Sequence, residues 1–125
     1  MTPEVRPARS GDQASVLAFT AQTWGEHGDD IQMVWDDWLR GQHGPMLVGV
    51  LDGEPVALVK ITWNAPGEAW MEGMRVHPEC RGKGIATAVF HQALRIAAGE
   101  GGHVVRLSTA ADNVPVHQMA ATAHM

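Results

Sequence analysis

Val76-His77-Pro78-Glu79-Cys80-Arg81-Gly82-Lys83-Gly84-Ile85-Ala86-Thr87 is the stretch whose reading decides the fold. An apolar run enters it at Val76, His77-Pro78 stops that run, and an Ala-rich helical pattern leaves from Gly84. A strand that breaks at a proline, passes two glycines and feeds directly into a helix leaves several backbone N–H groups unpaired and aimed one way. The helix dipole adds partial positive charge at that point, and Arg81 and Lys83 add whole charges. A phosphate or pyrophosphate is the fitting guest. The Walker loop needs a longer gap between its glycines and a Lys-Ser/Thr pair, and the dinucleotide fingerprint needs Gly-x-Gly-x-x-Gly; neither fits. The plainer alternative is a basic surface turn that only caps a helix.

Downstream, Ile85, Val89, Ala93 and Ile96 fall on one line of a helix, and Ala86, Phe90, Leu94 and Ala97 on the adjacent one, with Thr87, His91 and Arg95 opposite. Gly99 and Gly101-Gly102 end it, and His103 to Thr109 reads as the next strand. Strand, helix and strand make a βαβ unit, which implies a parallel pair joined by a right-handed crossover. Upstream, Met46–Leu51 and Val56–Trp63 are apolar runs joined by Asp52-Gly53, a strong hairpin signal because both residues tolerate positive φ. Asn64-Ala65-Pro66-Gly67 turns the chain again into a third run, Ala69–Val76.

Glu4 to Ala8 has the alternation of a short first strand, and Ser10-Gly11-Asp12-Gln13 has the Ser-x-x-Gln form of a capping box. A helix is expected from there, with Val16, Leu17, Thr20, Ala21 and Trp24 on one face and Gly25 at its end. A second, amphipathic helix is signalled after Gly28, with Asp29 or Asp30 as cap and Ile31, Val34, Trp35, Trp38 and Leu39 on one side. The Trp pair reads either as core or as a ligand platform. Asp29, Asp30, Asp36 and Asp37 read either as a solvated, dipole-matching face or as a wall that attracts an amine.

A chain of 125 residues, 45% apolar and 18% charged, supports one domain over residues 1–125 with one core. A net charge of −5 argues against nucleic acid as a partner. The single Cys80 excludes an internal disulfide framework, and no apolar run is long enough for a membrane span or a secretory leader, so the expectation is a cytoplasmic protein with no membrane partner. The seven histidines show no metal-site spacing, and no metal is expected.

Arg81-Gly82-Lys83-Gly84-Ile85-Ala86, after a strand ending in Val76-His-Pro78 and before a long helix and another strand, resembles the acyl-CoA signature Arg/Gln-x-x-Gly-x-Gly/Ala of the GNAT N-acetyltransferases. The resemblance implies an α/β fold of GNAT type: a mixed central sheet flanked by helices, with a splayed parallel strand pair at the cofactor cleft. It implies acetyl-CoA as acyl donor and a primary amine of a small molecule or amino acid as acceptor, attacking the thioester directly. On this reading Arg81, Gly82, Lys83, Gly84, Ile85, Ala86 and Thr87 cradle the pyrophosphate. Main-chain groups around Met74, Arg75 and Val76 then pair with pantetheine like an added strand. Asp29, Asp30 and Trp35 would border the acceptor site. Glu-Gly at 72–73 resembles aminoglycoside 6′-type and amino-acid acetyltransferases, and the segment from Gly28 to Leu39 points towards the latter.

Glu72 is the one carboxylate inside the third run. Strand alternation places residues 70, 72, 74 and 76 on one face, so Glu72 is expected beside Val76, where it serves as base or as anchor for an ammonium. A solvated strand glutamate is the alternative. Cys80 adjoins the pyrophosphate turn, far from any thioester, and reads as a loop cysteine. In the family, Asn-x-x-Ala-x-x-Leu-Tyr follows the last strand; Asn113 keeps the Asn, which the resemblance counts among the cofactor contacts, but Ala120 stands where the Tyr would be, and the chain has no Tyr. The C-terminal hairpin of the fold is expected to be missing. The exposed sheet edge this would leave points to a homodimer. A non-catalytic acyl-CoA-binding or regulatory module, or an inactive remnant, is the alternative function.

Overall fold

The structure, a computed structural model, describes residues 3–21, 31–41, 43–80, 84–102 and 104–107, with the backbone alone for residues 32, 73 and 104–107. Their elements are β1 (Glu4–Pro7), α1 (Gln13–Thr20), α2 (Ile31–Arg40), β2 (Met46–Leu51), β3 (Glu54–Ala65), β4 (Glu68–Val76), α3 (Ile85–Gly99) and β5 (Val104–Leu107). The strands form one mixed sheet in the order β1-β2-β3-β4-β5. The first four pair antiparallel, and β4–α3–β5 closes the expected parallel unit, with Glu68 opposite Val104 and Met71 opposite Leu107. Asp52 (φ 52°) and Gly53 (φ 81°) make the tight β2–β3 hairpin, both in the left-handed region that such a turn demands. None of the described helices is long and apolar enough to cross a membrane.

Helices cover both faces of the sheet, which is why β2 and β3 read as nearly unbroken apolar runs. On one face α3 lays Ile85, Val89, Phe90, Ala93 and Ala97 against Leu47, Ala57, Val59, Ile61, Ala69, Met71 and Val76. On the other, Val16 and Phe19 of α1 and Ile31 and Trp35 of α2 cover Met46, Val48, Val50 and Leu58. Phe19 is 2% exposed and is missing from the face expected of α1. The helix runs only Gln13–Thr20, after a 3-10 turn at Ser10–Asp12, and buries Val16, Phe19 and Thr20. Thr20, also buried, satisfies its hydroxyl by donating to Val16 O at 2.8 Å. Trp24, Gly25 and the Asp29/Asp30 cap lie outside the described residues.

The helix start differs from the expected Ser10 cap. Among the described residues no side chain caps α1; Asp12 instead closes the preceding 3-10 turn, its Oδ2 accepting the Arg9 backbone N–H at 2.8 Å and its two oxygens taking both Nη groups of Arg6 at 2.8 and 2.9 Å. The carboxylate thereby ties β1 to the entry of α1. Arg6 is the largest influence holding the Asp12 carboxyl below its ordinary value.

β4 also departs from regular strand alternation. Lys60 stands opposite Glu72 and Leu58 opposite Arg75, so β4 carries one residue more than β3 between those pairs, a β-bulge at Gly73-Met74. The bulge breaks the alternation on which the sequence reading relied. Val76, opposite Ala57, packs on the α3 side together with Met74. Glu72, like Lys60, faces the side of α1 and α2, where Leu58 packs. Residues 72 and 76 therefore lie on opposite faces of the strand.

Candidate active site

β4 ends at Val76, and Pro78–Cys80 forms a short 3-10 turn. Gly84 then enters α3 with φ 77°, and among the described residues no side chain caps the helix start. The first intrahelical bond runs from Ala88 N–H to Gly84 O at 3.0 Å, so the N–H groups of Ile85, Ala86 and Thr87 precede any i→i−4 partner. Among the described residues nothing lies within 4 Å of where a Cβ of Gly84 would stand. A glycine is needed there for its conformation. Arg81, Gly82, Lys83 and Asn113 of the expected cofactor set lie outside the described residues, as do Asp29 and Asp30 of the expected acceptor wall.

The main chain of β4 complements this mouth. His77 N–H donates to Val56 O at 2.7 Å. In antiparallel pairing this turns the N–H and C=O of Val76 to the opposite edge of β4, away from β3. The described parallel pairing on that edge ends at Met71–Leu107, five residues before Val76. Met74 O accepts Arg75 Nη1 at 3.1 Å and, as a carbonyl, keeps a second lone pair.

On the α1–α2 side sits a polar group that the sequence reading missed. Thr62 donates its hydroxyl to Glu72 Oε1 at 2.9 Å. Lys60, only 3% exposed, donates from Nζ to Thr62 Oγ1 at 3.2 Å, Ile61 O at 2.9 Å and Gly44 O at 3.0 Å. Burial pushes the Lys60 ammonium below its ordinary value, and nearby Glu72 acts in the opposite sense. Glu72 itself is half-buried. The available signal was a lysine and a threonine two apart in the otherwise apolar run Val56–Trp63, a spacing that places both on one strand face.

Gly44 makes the lysine's site possible. Its φ is 136°, and an added Cβ would fall inside the envelope of the Ile61 carbonyl. Pro45 O accepts Ile61 N–H at 3.0 Å, and His43 O accepts Trp63 N–H, so residues 43–45 run along β3 and bring the Gly44 carbonyl to the ammonium beside that of Ile61. Trp35, expected near the acceptor, is 1% exposed in the α1–α2 core, which is the packing role of the two open to it. Asp36 and Asp37 are exposed, and Asp37 pairs with Arg40 at 2.9 Å.

The glycine-led start of α3, the β4 edge with outward main-chain groups and the Glu72 carboxylate on the opposite face of that strand together form the candidate site. The acetyltransferase (GNAT) family model matches residues 13–124, and the chain belongs to that family. Solved structures share the fold. AAC(6′)-Iy, determined in complex with a CoA bisubstrate analogue, superposes with a TM-score of 0.77 at 17% identity, over 98% of this chain and 89% of that one. The aminoglycoside 6′-N-acetyltransferase AAC(6′)-Ih from Acinetobacter baumannii gives 0.74 at 22%, over 98% and 90%. A transcriptional regulator from Bacillus halodurans gives 0.83 at 17%, over 98% and 92%. No curated protein matches the chain significantly.

Proposed function

We propose that this protein is an N-acetyltransferase that moves the acetyl group of acetyl-CoA to a primary amine of a small molecule or amino acid, with Glu72 as the group that handles the amine. The observation that carries the proposal is the pairing of the glycine-led N-terminus of α3 with a half-buried carboxylate on the other face of the strand that feeds it. The donor set fits acetyl-CoA: helix N–H groups suit a pyrophosphate, and the outward main-chain groups at Val76 suit the amides of pantetheine. Residues 81–87 would hold the pyrophosphate, with Asn113 close to the cofactor, and Met74, Arg75 and Val76 would line the pantetheine arm.

Acetyl-CoA, when bound, supplies a thioester carbonyl open to direct attack. Glu72 Oε1 is occupied by Thr62, and among the described residues its second oxygen has no hydrogen-bond partner. That oxygen receives the incoming ammonium and takes its proton, directly or through a water, which leaves a neutral amine to attack. Holding the amine beside a fixed carboxylate also supplies the orientation that bimolecular transfer lacks. Asp29 and Asp30 would draw the cationic acceptor towards the site. The same reading has the protein acting as a cytoplasmic homodimer.

Isothermal titration with acetyl-CoA tests the proposal. A saturable heat that free CoA competes away is expected, and no heat from folded protein would sink the cofactor assignment. Binding without transfer across an amine panel would instead support a non-catalytic acyl-CoA-binding module.

A further inference from the structure

Lys60 is buried at 3% exposure, yet among the described residues it forms no direct ion pair with Glu72. An ammonium has three N–H donors and no acceptor, and the contacts to Gly44 O, Ile61 O and Thr62 Oγ1 use all three. Thr62 is thereby restricted. Its oxygen accepts from Lys60, which cannot accept in return, so its only hydrogen turns to Glu72 Oε1 at 2.9 Å. The order of donation runs one way, from Lys60 through Thr62 to Glu72. Burying a charge without a carboxylate in contact opposes folding, and a methionine would fill similar space without that penalty. Packing alone gives no reason for a lysine here.

We propose that Lys60 and Thr62 are positioning residues for Glu72: Thr62 pins one carboxylate oxygen so that the other faces the acceptor amine, and Lys60 fixes the sense of the Thr62 hydroxyl. Gly44 belongs to the device as the residue whose missing side chain lets its carbonyl and that of Ile61 converge on the ammonium. The inference rests on the reading of Glu72 as the amine-handling group. Lowering of the Lys60 ammonium by burial, opposed by Glu72, accords with it, and Glu72 is the one charged group that bears on Lys60 among the described residues.

The test compares Thr62→Val, Thr62→Ser, Lys60→Met and Glu72→Gln with the unmodified protein on its best amine, with kcat, both KM values and the pH–rate profile as readouts. Thr62→Val is expected to lose roughly tenfold in kcat/KM for the amine through carboxylate misplacement, with the KM for acetyl-CoA unchanged and the acid limb of the profile displaced. Thr62→Ser, which keeps the hydroxyl, is expected to stay within about twofold. Wild-type kinetics and pH profile in Thr62→Val, alongside an impaired Glu72→Gln, overturn the inference while leaving the role of Glu72 intact. Full activity in Glu72→Gln overturns the role of Glu72 and, with it, any catalytic use of the positioning pair.

A readout independent of activity uses the fact that the chain has two lysines, Lys60 and Lys83. Protein labelled with 13Cε-lysine gives two signals, assigned with Lys83→Arg. Glu72→Gln is expected to move the Lys60 titration to lower pH and leave Lys83 in place. An unmoved Lys60 signal contradicts the coupling and overturns the inference whatever the kinetics show.

Discussion

Glu72 and Val76 lie on opposite faces of β4, Glu72 across from Lys60 on the α1–α2 side and Val76 across from Ala57 on the α3 side. The bulge at Gly73-Met74 produces this separation. It places the Glu72 carboxylate, the proposed amine-handling group, on one face of the sheet while Val76 packs with α3 on the other. A cofactor that serves both has to pass the outer edge of β4, where the main-chain groups of Val76 point.

The helix mouth gives the first prediction. Gly84→Glu puts an anion and a strained left-handed residue where a pyrophosphate should sit, and acetyl-CoA affinity by titration calorimetry should fall at least about tenfold. Gly84→Ala meets nothing within 4 Å among the described residues and should cost only about 1 kcal/mol of stability from its positive φ. Unchanged affinity in Gly84→Glu would place the cofactor elsewhere.

Gly44 should be among the least replaceable positions outside the cofactor turn. Gly44→Ala forces a methyl into the Ile61 carbonyl at φ 136°, and the backbone must retreat from β3. Urea unfolding should show a loss of about 2–4 kcal/mol, larger than for a surface glycine with open space such as Gly53.

The Arg6–Asp12 pair should give an acid-dependent contribution. The Asp12 carboxyl is held below its ordinary value of 3.8, with Arg6 the first cause. Its stabilisation is therefore complete above that pH and is lost as pH falls through the lower, folded-state value. Asp12→Asn should cost about 1–2 kcal/mol at pH 7 by chemical denaturation, and the gap to wild type should narrow below pH 3.8.

Lys60 should give the same direction of pH dependence at the alkaline end, although here the buried charge opposes folding at neutral pH. Burial lowers its ammonium below the ordinary lysine value of 10.5, so between the folded-state value and 10.5 the unfolded chain holds more protons. Raising pH through that window should favour the folded state. Stability measured from pH 7 to 10 should rise more in wild type than in Lys60→Met, and parallel curves would show that the lysine is not desolvated.

Much of this was legible because local chemistry decided it. Asp52-Gly53 permits few structures other than a tight hairpin, and the proline, glycines and apolar periodicity from Val76 to Ala97 specify strand, turn and helix without reference to distant residues. The bulge was not legible, since Gly73 marks a place where β4 can bulge, whereas the shift itself depends on how β4 pairs with β3. Lys60 was passed over for a related reason. One lysine in an apolar run looks like a strand residue with a solvated end, and only the approach of Gly44 to Ile61 shows where its three donors go. The Ser10 capping box failed because Asp12, already bound to Arg6, competes for the same turn.

Release of free CoA thiol from acetyl-CoA, measured across a panel of amino acids, polyamines and aminoglycosides, tests the central claim most directly. Amine-dependent release is expected from the wild-type protein, with a decrease of about a hundredfold in Glu72→Gln at unchanged acetyl-CoA affinity. Acetyl-CoA binding with no amine-dependent release, or release at the wild-type rate from Glu72→Gln, would contradict it.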